Sequence, residues 1–144
     1  MRVVERSVWV PFEAGQMYKL VNDITKYPQF LPGCKGAEIL FSGDNEIHAE
    51  LMIEKSGFTQ AFSTQNRLES NRRIEMNLLK GPFRHLTGVW EFKPLEKGCE
   101  ISFTLTFEFS SKLLDFSFGS IFESLVQTMV QAFTERAQVV YATA

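Results

Sequence analysis

Between Phe58 and Leu68 the chain alternates oil with amides and hydroxyls. Phe58, Gln60, Phe62, Thr64, Asn66 and Leu68 fall on one side of a strand, and Thr59, Ala61, Ser63, Gln65, Arg67 and Glu69 fall on the other. The second side is written for solvent, which turns Gln60, Thr64 and Asn66 inward with the phenylalanines. A buried amide or hydroxyl without a partner costs roughly 1–3 kcal/mol, so something polar has to reach these three. Bulges, waters and neighbouring loops would satisfy them at the damp end of a solid core. Alternatively they are hydrogen-bonding groups in the wall of an otherwise oily cavity, an arrangement suited to a ligand with a long apolar part and a carbonyl-bearing head. Periodicity alone does not separate a quinone from a fatty acid, a sterol or a flat polyketide.

Residues that could do covalent chemistry are sparse. The two histidines, His48 and His85, are separated by several strands. Glu50 and Glu54 share a face with His48, but opposite Ile47, Ala49, Leu51 and Ile53, so an acid–base site there would be fully solvated and poorly tuned. No nucleophile elbow, Gly-rich phosphate loop or zinc-protease helix motif is present. Cys34 and Cys99 are far apart and have no metal-ligand spacing. The expectation is two reduced thiols, no metal, no catalytic residue, and no cofactor other than a bound lipid.

A second oily feature is "TKYPQFLPGC", Thr25 to Cys34, which sets Tyr27, Phe30 and Leu31 between Pro28 and Pro32. Prolines would stiffen such a segment and limit the entropy lost when it closes. It reads as a lid over the cavity mouth, touching the ligand or the membrane that supplies it, or as a plug in the open end of a sheet. A third feature is basic. Arg67, Arg72, Arg73, Lys80 and Arg84 outnumber Glu69 and Glu75 at hairpin ends, giving either a solvated face or a patch for RNA phosphate or anionic lipid. No stacking motif of an RNA-binding module accompanies it.

These residues need elements to hold them. "RVVERSVWV" reads as a first strand closed by Pro11, and Glu13 to Asp23 as a short helix carrying Met17, Leu20 and Val21, with Ile24 just beyond. From Lys35 the period is two, with strands expected near Gly36–Ser42, Glu46–Lys55, Phe58–Leu68, Arg73–Leu79, Thr87–Pro94 and Glu100–Ser110. Their connections, such as Ser56-Gly57 and Gly81-Pro82, are short, so neighbours pair as antiparallel hairpins. In the last strand Ile101, Phe103, Leu105, Phe107 and Phe109 face one way and polar residues the other.

After Ser111 the period is helical to the end, about thirty residues or ~45 Å of helix. Leu114, Phe118, Ile121, Phe122, Leu125, Met129 and Phe133 form its stripe, widened by Val126, Val130 and Val140. That helix must cover the dry face of the sheet. The prediction is one α+β domain over 1–144, with about seven antiparallel strands curved round a long C-terminal helix. Trp90, beside Gly88 in the sixth of these strands, packs in the core or walls the cavity, as do Phe103, Leu105, Phe118, Phe122, Leu125 and Met129.

With fifteen Lys and Arg against seventeen Asp and Glu, the net charge of −2 offers no global attraction to phosphate, and DNA is not an expected partner. Charges interrupt the N-terminal apolar run and no stretch approaches a membrane span, so a cytoplasmic protein is expected.

The succession "YPQFLPGC", "GPFRHLTGVWEF" (Gly81 to Phe92) and a Phe-rich terminal helix resembles the START-like polyketide cyclase/dehydrase superfamily. Within it the chain looks most like the coenzyme Q-binding family and its bacterial ribosome association toxin (RatA-type) members. The resemblance implies a helix-grip fold. It further implies a polyprenyl quinone as ligand in support of respiration, or alternatively association with the large ribosomal subunit that blocks subunit joining. Cyclase-like enzymes elsewhere in the superfamily supply a third expectation.

Overall fold

The computed structural model describes residues 1–141. Seven strands are present: β1 (Arg2–Val10), β2 (Cys34–Ser42), β3 (Glu46–Lys55), β4 (Phe58–Glu69), β5 (Arg73–Lys80), β6 (Phe83–Pro94) and β7 (Cys99–Phe109). They form one antiparallel sheet in the order β1-β7-β6-β5-β4-β3-β2. Hairpins make every neighbour except β1, which pairs with β7 because the connection after it, helix α1 (Ala14–Asn22) and a 3₁₀ segment (Ile24–Gln29), carries the chain to the opposite edge. Helices α2 (Lys112–Gln127) and α3 (Met129–Tyr141) lie in the concave face. This is the α+β helix-grip arrangement expected from the sequence.

The alternation in β7 is realised in full: Ile101, Phe103, Leu105, Phe107 and Phe109 are all at 3% exposure or less. Local chemistry starts α2 and α1. The Ser111 hydroxyl accepts from the Leu114 amide at 3.2 Å to cap α2, and Gln16 Oε1 accepts from the Glu13 amide at 3.0 Å ahead of α1. Irregularities curl the sheet, with bulges in β2 at Cys34/Gly36 and Ile39/Phe41, between β4 and β5 at Ser63/Thr64, and in β6 at Phe83/His85.

Four details differ from the sequence reading. Strand β6 begins at Phe83, not Thr87, because the bulge at Arg84 breaks the alternation and sends both Phe83 and Leu86 inward. Ser63, on the face expected to meet solvent, is buried, a small side chain flanked in register by Glu50 and Lys80. The terminal helix is interrupted at Thr128, whose hydroxyl donates to the Leu125 carbonyl at 2.8 Å and whose amide turns to the same oxygen at 3.2 Å; such back-bonding bends helices. The break resets the buried stripe of α3 to Val130, Phe133 and Ala137 and leaves Val140 outside. The helical pattern expected over residues 142–144 lies outside the described residues. Among those described, no helix is long and apolar enough to cross a membrane.

Candidate functional site

Sheet and helices do not close completely. A cavity of about 50 Å³ survives beside the Thr128 break. Its sheet wall is Leu51 and Ile53 of β3, Phe62 of β4, Met76 of β5, Leu86 of β6 and Phe103 with Leu105 of β7. Its helix wall is Phe122, Leu125 and Val126 of α2 and Met129 of α3, and the loop residues Leu31 and Pro32 meet it from the 3₁₀ side. No polar side chain lines it. At this size it holds a small apolar group and no isoprenoid chain, since sites for drug-sized ligands run to ~300–1,000 Å³. Leu31 and Pro32 are the lining residues that belong neither to the sheet nor to the terminal helices.

The structure divides the sequence-derived candidates into three groups. Leu31, Phe62, Phe103, Leu105, Phe122, Leu125 and Met129 meet at the cavity. Trp90, Tyr27 and Phe30 do not line it. Trp90 stacks on Phe103 at 4.3 Å, behind the wall, and meets Phe133 at 5.3 Å. Tyr27 and Phe30 close on the same Phe133, with ring centroids 5.3 and 5.2 Å away. Phe58 and Phe118 pair with each other at 5.7 Å. The oily segment therefore folds inward through an aromatic cluster, and only Leu31 and Pro32 reach the cavity.

The polar trio is inward but outside the lining. Thr64 and Asn66 are buried, and the Thr64 hydroxyl donates to Asn66 Oδ1 at 2.8 Å. The pair thus answers part of its own hydrogen-bonding demand, as the solid-core alternative required. Gln60 is half-buried opposite Ile53, and Asn66 stands opposite Met76. Each is one cross-strand neighbour from a wall residue. Sequence reasoning did not assign Pro32, Leu51, Ile53, Met76, Leu86 and Val126 to a site. The alternation of β3, β5 and β6 turns Leu51, Ile53, Met76 and Leu86 inward, and that was the available signal.

Helix α3 ties down the 3₁₀ segment. Arg136 of α3 donates to Gln29 Oε1 at 2.8 Å and lies over the Phe30 ring at 5.1 Å. The Tyr27 hydroxyl donates to the Val21 carbonyl. Burial pushes its pKa well above the ordinary phenol range. Burial likewise raises the Cys34 thiol to about 11, so at neutral pH it stays protonated and unreactive. Neither group is poised for proton transfer.

One titratable cluster lies on the outer face. Glu46 accepts from Gln65 at 2.9 Å and contacts His48 Nε2 at 2.5 Å, and these two contacts hold its carboxyl below the usual range. With His48 beside the Phe41 ring at 5.0 Å, the cluster has neither a nucleophile nor a water-excluding wall. Among the described residues no group of His, Cys, Asp and Glu could hold a metal ion.

The basic residues do not form one patch. Arg67, Arg72 and Arg73 sit at the β4–β5 turn, and Lys80 and Arg84 at the β5–β6 turn, about 25 Å apart along β5 at ~3.3 Å per residue. Hairpins alternate ends, so residues close in sequence separate by a strand length. Arg73 pairs with Glu75 at 3.6 Å and Arg84 with Glu108 at 3.4 Å. Arg67 and Arg72 are exposed and make no ion pair among the described residues.

Residues 10–134 match the family described as polyketide cyclase / dehydrase and lipid transport. The ribosome association toxin RatA of Escherichia coli (strain K12) is 48% identical over 143 residues, spanning 99% of this chain and 90% of that protein. The mitochondrial coenzyme Q-binding protein COQ10 homolog B of Xenopus laevis is 28% identical over 135 residues, 90% of this chain but 55% of that one. Among solved structures, the Zhui aromatase/cyclase from Streptomyces sp. R1128 superposes with a TM-score of 0.85 at 18% identity, covering 99% of this chain and 98% of that one. That likeness concerns the fold alone.

Proposed function

Because the chain belongs to the polyketide cyclase / dehydrase and lipid transport family, we propose that it works by binding rather than by catalysis, as a ribosome-associating protein of the RatA type that contacts the large subunit and hinders subunit joining. The observation that carries this reading is 48% identity to a ribosome association toxin along 99% of the chain. The exposed Arg72, with Arg67 between Glu46 and Glu75 on the neighbouring strands, offers contacts for ribosomal phosphate, and counterion release makes such contacts salt-dependent.

Gradient sedimentation with purified ribosomal subunits tests it. The protein is expected to travel with the large subunit and to reduce the yield of joined ribosomes. The Arg67→Glu/Arg72→Glu variant should bind about tenfold more weakly, as expected for losing phosphate contacts. Sedimentation of the protein only at the top of the gradient would end this reading.

A second reading is favoured by the apolar cavity and by the coenzyme Q-binding relative. In it the protein takes up a polyprenyl quinone when the Leu31-Pro32 loop opens. Organic extraction of the purified protein, followed by mass spectrometry, is expected to release quinone near one per chain. Leu125→Trp, which fills the cavity, should abolish quinone uptake from vesicles while leaving the far-ultraviolet spectrum unchanged. Quinone uptake by the Trp variant equal to that of the parent would show that the cavity is not the site.

A further inference from the structure

Where β7 runs into α2 the molecule exposes oil that supports nothing beneath it. Leu113 and Phe116, one turn apart at the start of α2, are 77% and 89% exposed, and Leu79 at the end of β5 is 47% exposed. Strand pairing puts them at one end of the sheet: β5 ends, β6 begins and β7 ends there. The Ser110 amide and hydroxyl both bond the Pro82 carbonyl, at 2.9 and 3.0 Å. Single exposed apolar residues are ordinary, but a leucine and a phenylalanine adjacent on one helix face and almost wholly in water are not explained by packing.

Cations share this end. Lys80, Arg84 and Lys112 are exposed at the same end. The nearby carboxylates are already engaged, Glu108 by Arg84 at 3.4 Å and Asp115 by Arg2 at 3.1 Å. Lys80 and Lys112 form no ion pair among the described residues. The tip is thus locally positive on a chain whose net charge is −2.

We propose that this tip docks on an anionic lipid bilayer, with Leu113 and Phe116 entering the boundary between headgroups and acyl chains while Lys80 and Lys112 meet the headgroup charge. Oil beside lysine and arginine is the interfacial pattern. RNA would use the cations but gain nothing from Leu113. The expected lid residues do not serve this role, since Tyr27 and Leu31 are buried. The tip and the cavity wall share α2, with Leu125 nine residues beyond Phe116, or about 14 Å. Docking therefore carries the cavity to the phase that dissolves apolar ligands. The proposal does not depend on the ribosomal reading.

The test is sedimentation of the full chain with vesicles of phosphatidylglycerol and phosphatidylcholine, compared with phosphatidylcholine alone. Binding is expected on the anionic vesicles, weakened about tenfold or more by Leu113→Ser/Phe116→Ser and weakened also by Lys80→Glu/Lys112→Glu. Tryptophan emission of Phe116→Trp, taken as the difference from the parent with its Trp9 and Trp90, should shift to the blue when those vesicles are added. Failure to sediment with vesicles, indifference to the Ser pair, or an unshifted Trp would overturn the proposal. So would a Ser pair that keeps vesicle binding but loses ribosome co-sedimentation or self-association, since the tip would then serve another partner. These variants are exposed, and circular dichroism confirms their fold.

Discussion

Replacing Phe122 by Ala is expected to cost about 3–5 kcal/mol of folding stability. Phe122 is buried in α2 within 6 Å of five other rings, from Phe107 at 5.0 Å through Phe83, Phe109 and Phe62 to Phe118 at 6.0 Å. Phe62, Phe83, Phe107 and Phe109 stand on strands and cannot collapse into the gap without bending the sheet. The ring is also a cavity wall, so its removal enlarges an existing void instead of opening a fresh one. The spread in such costs follows how well the surroundings relax, and this site relaxes poorly. Urea unfolding measures the effect as a fall in midpoint at constant slope. A loss below about 1 kcal/mol would mean that the cluster repacks freely.

The second large effect is expected at the β6–β7 turn. Gly98 has φ +76°, and a Cβ there would stand 2.0 Å from the Val10 carbonyl oxygen, a backbone atom at the end of β1. Gly98→Ala therefore has to carry left-handed strain of ~1–2 kcal/mol and also separate two strands, for a total of about 3 kcal/mol or more. Gly57 is the internal control: its φ is +83°, yet a Cβ there meets nothing within 4 Å, so Gly57→Ala should show only the strain. Thermal unfolding of both variants isolates the collision as the difference between them. Equal losses would show that the Val10 contact yields easily.

Most of the architecture was legible because it rests on period. Two-residue alternation in β4 and β7 and the three- and four-residue steps from Leu114 to Met129 each bury one face, and burial is what alternation reports. Local departures from period stayed hidden. The bulge at Arg84 costs one residue of phase, and that single residue conceals the first third of β6. Thr128 fits a helical pattern in sequence, and only its amide turning to the Leu125 carbonyl, three residues back, reveals the interruption.

The candidate site was half legible for a related reason. Inward faces on β4, β7 and α2 nominated Phe62, Phe103, Leu105, Phe122, Leu125 and Met129, all at the cavity. Alternation says which side a residue faces and nothing of its depth along the strand, which is why Phe58, Gln60, Thr64 and Asn66 share the face without sharing the lining. Charge clustering failed for want of topology: Arg72 and Arg84 are twelve positions apart in sequence but belong to opposite turns.

The rung missing at Thr128 shapes how the molecule breathes. Arg2 ties α2 to β1 through Asp115 and Glu123, while Arg136 and Tyr141 tie α3 to Gln29 and Gln16, so each half has its own mooring. Amide deuteration should reach the Thr128 region well before Phe118 or Phe133, because rotation at one joint exposes it while the flanking ladders stay shut. A guest admitted at that joint would meet a door hung on a single hinge.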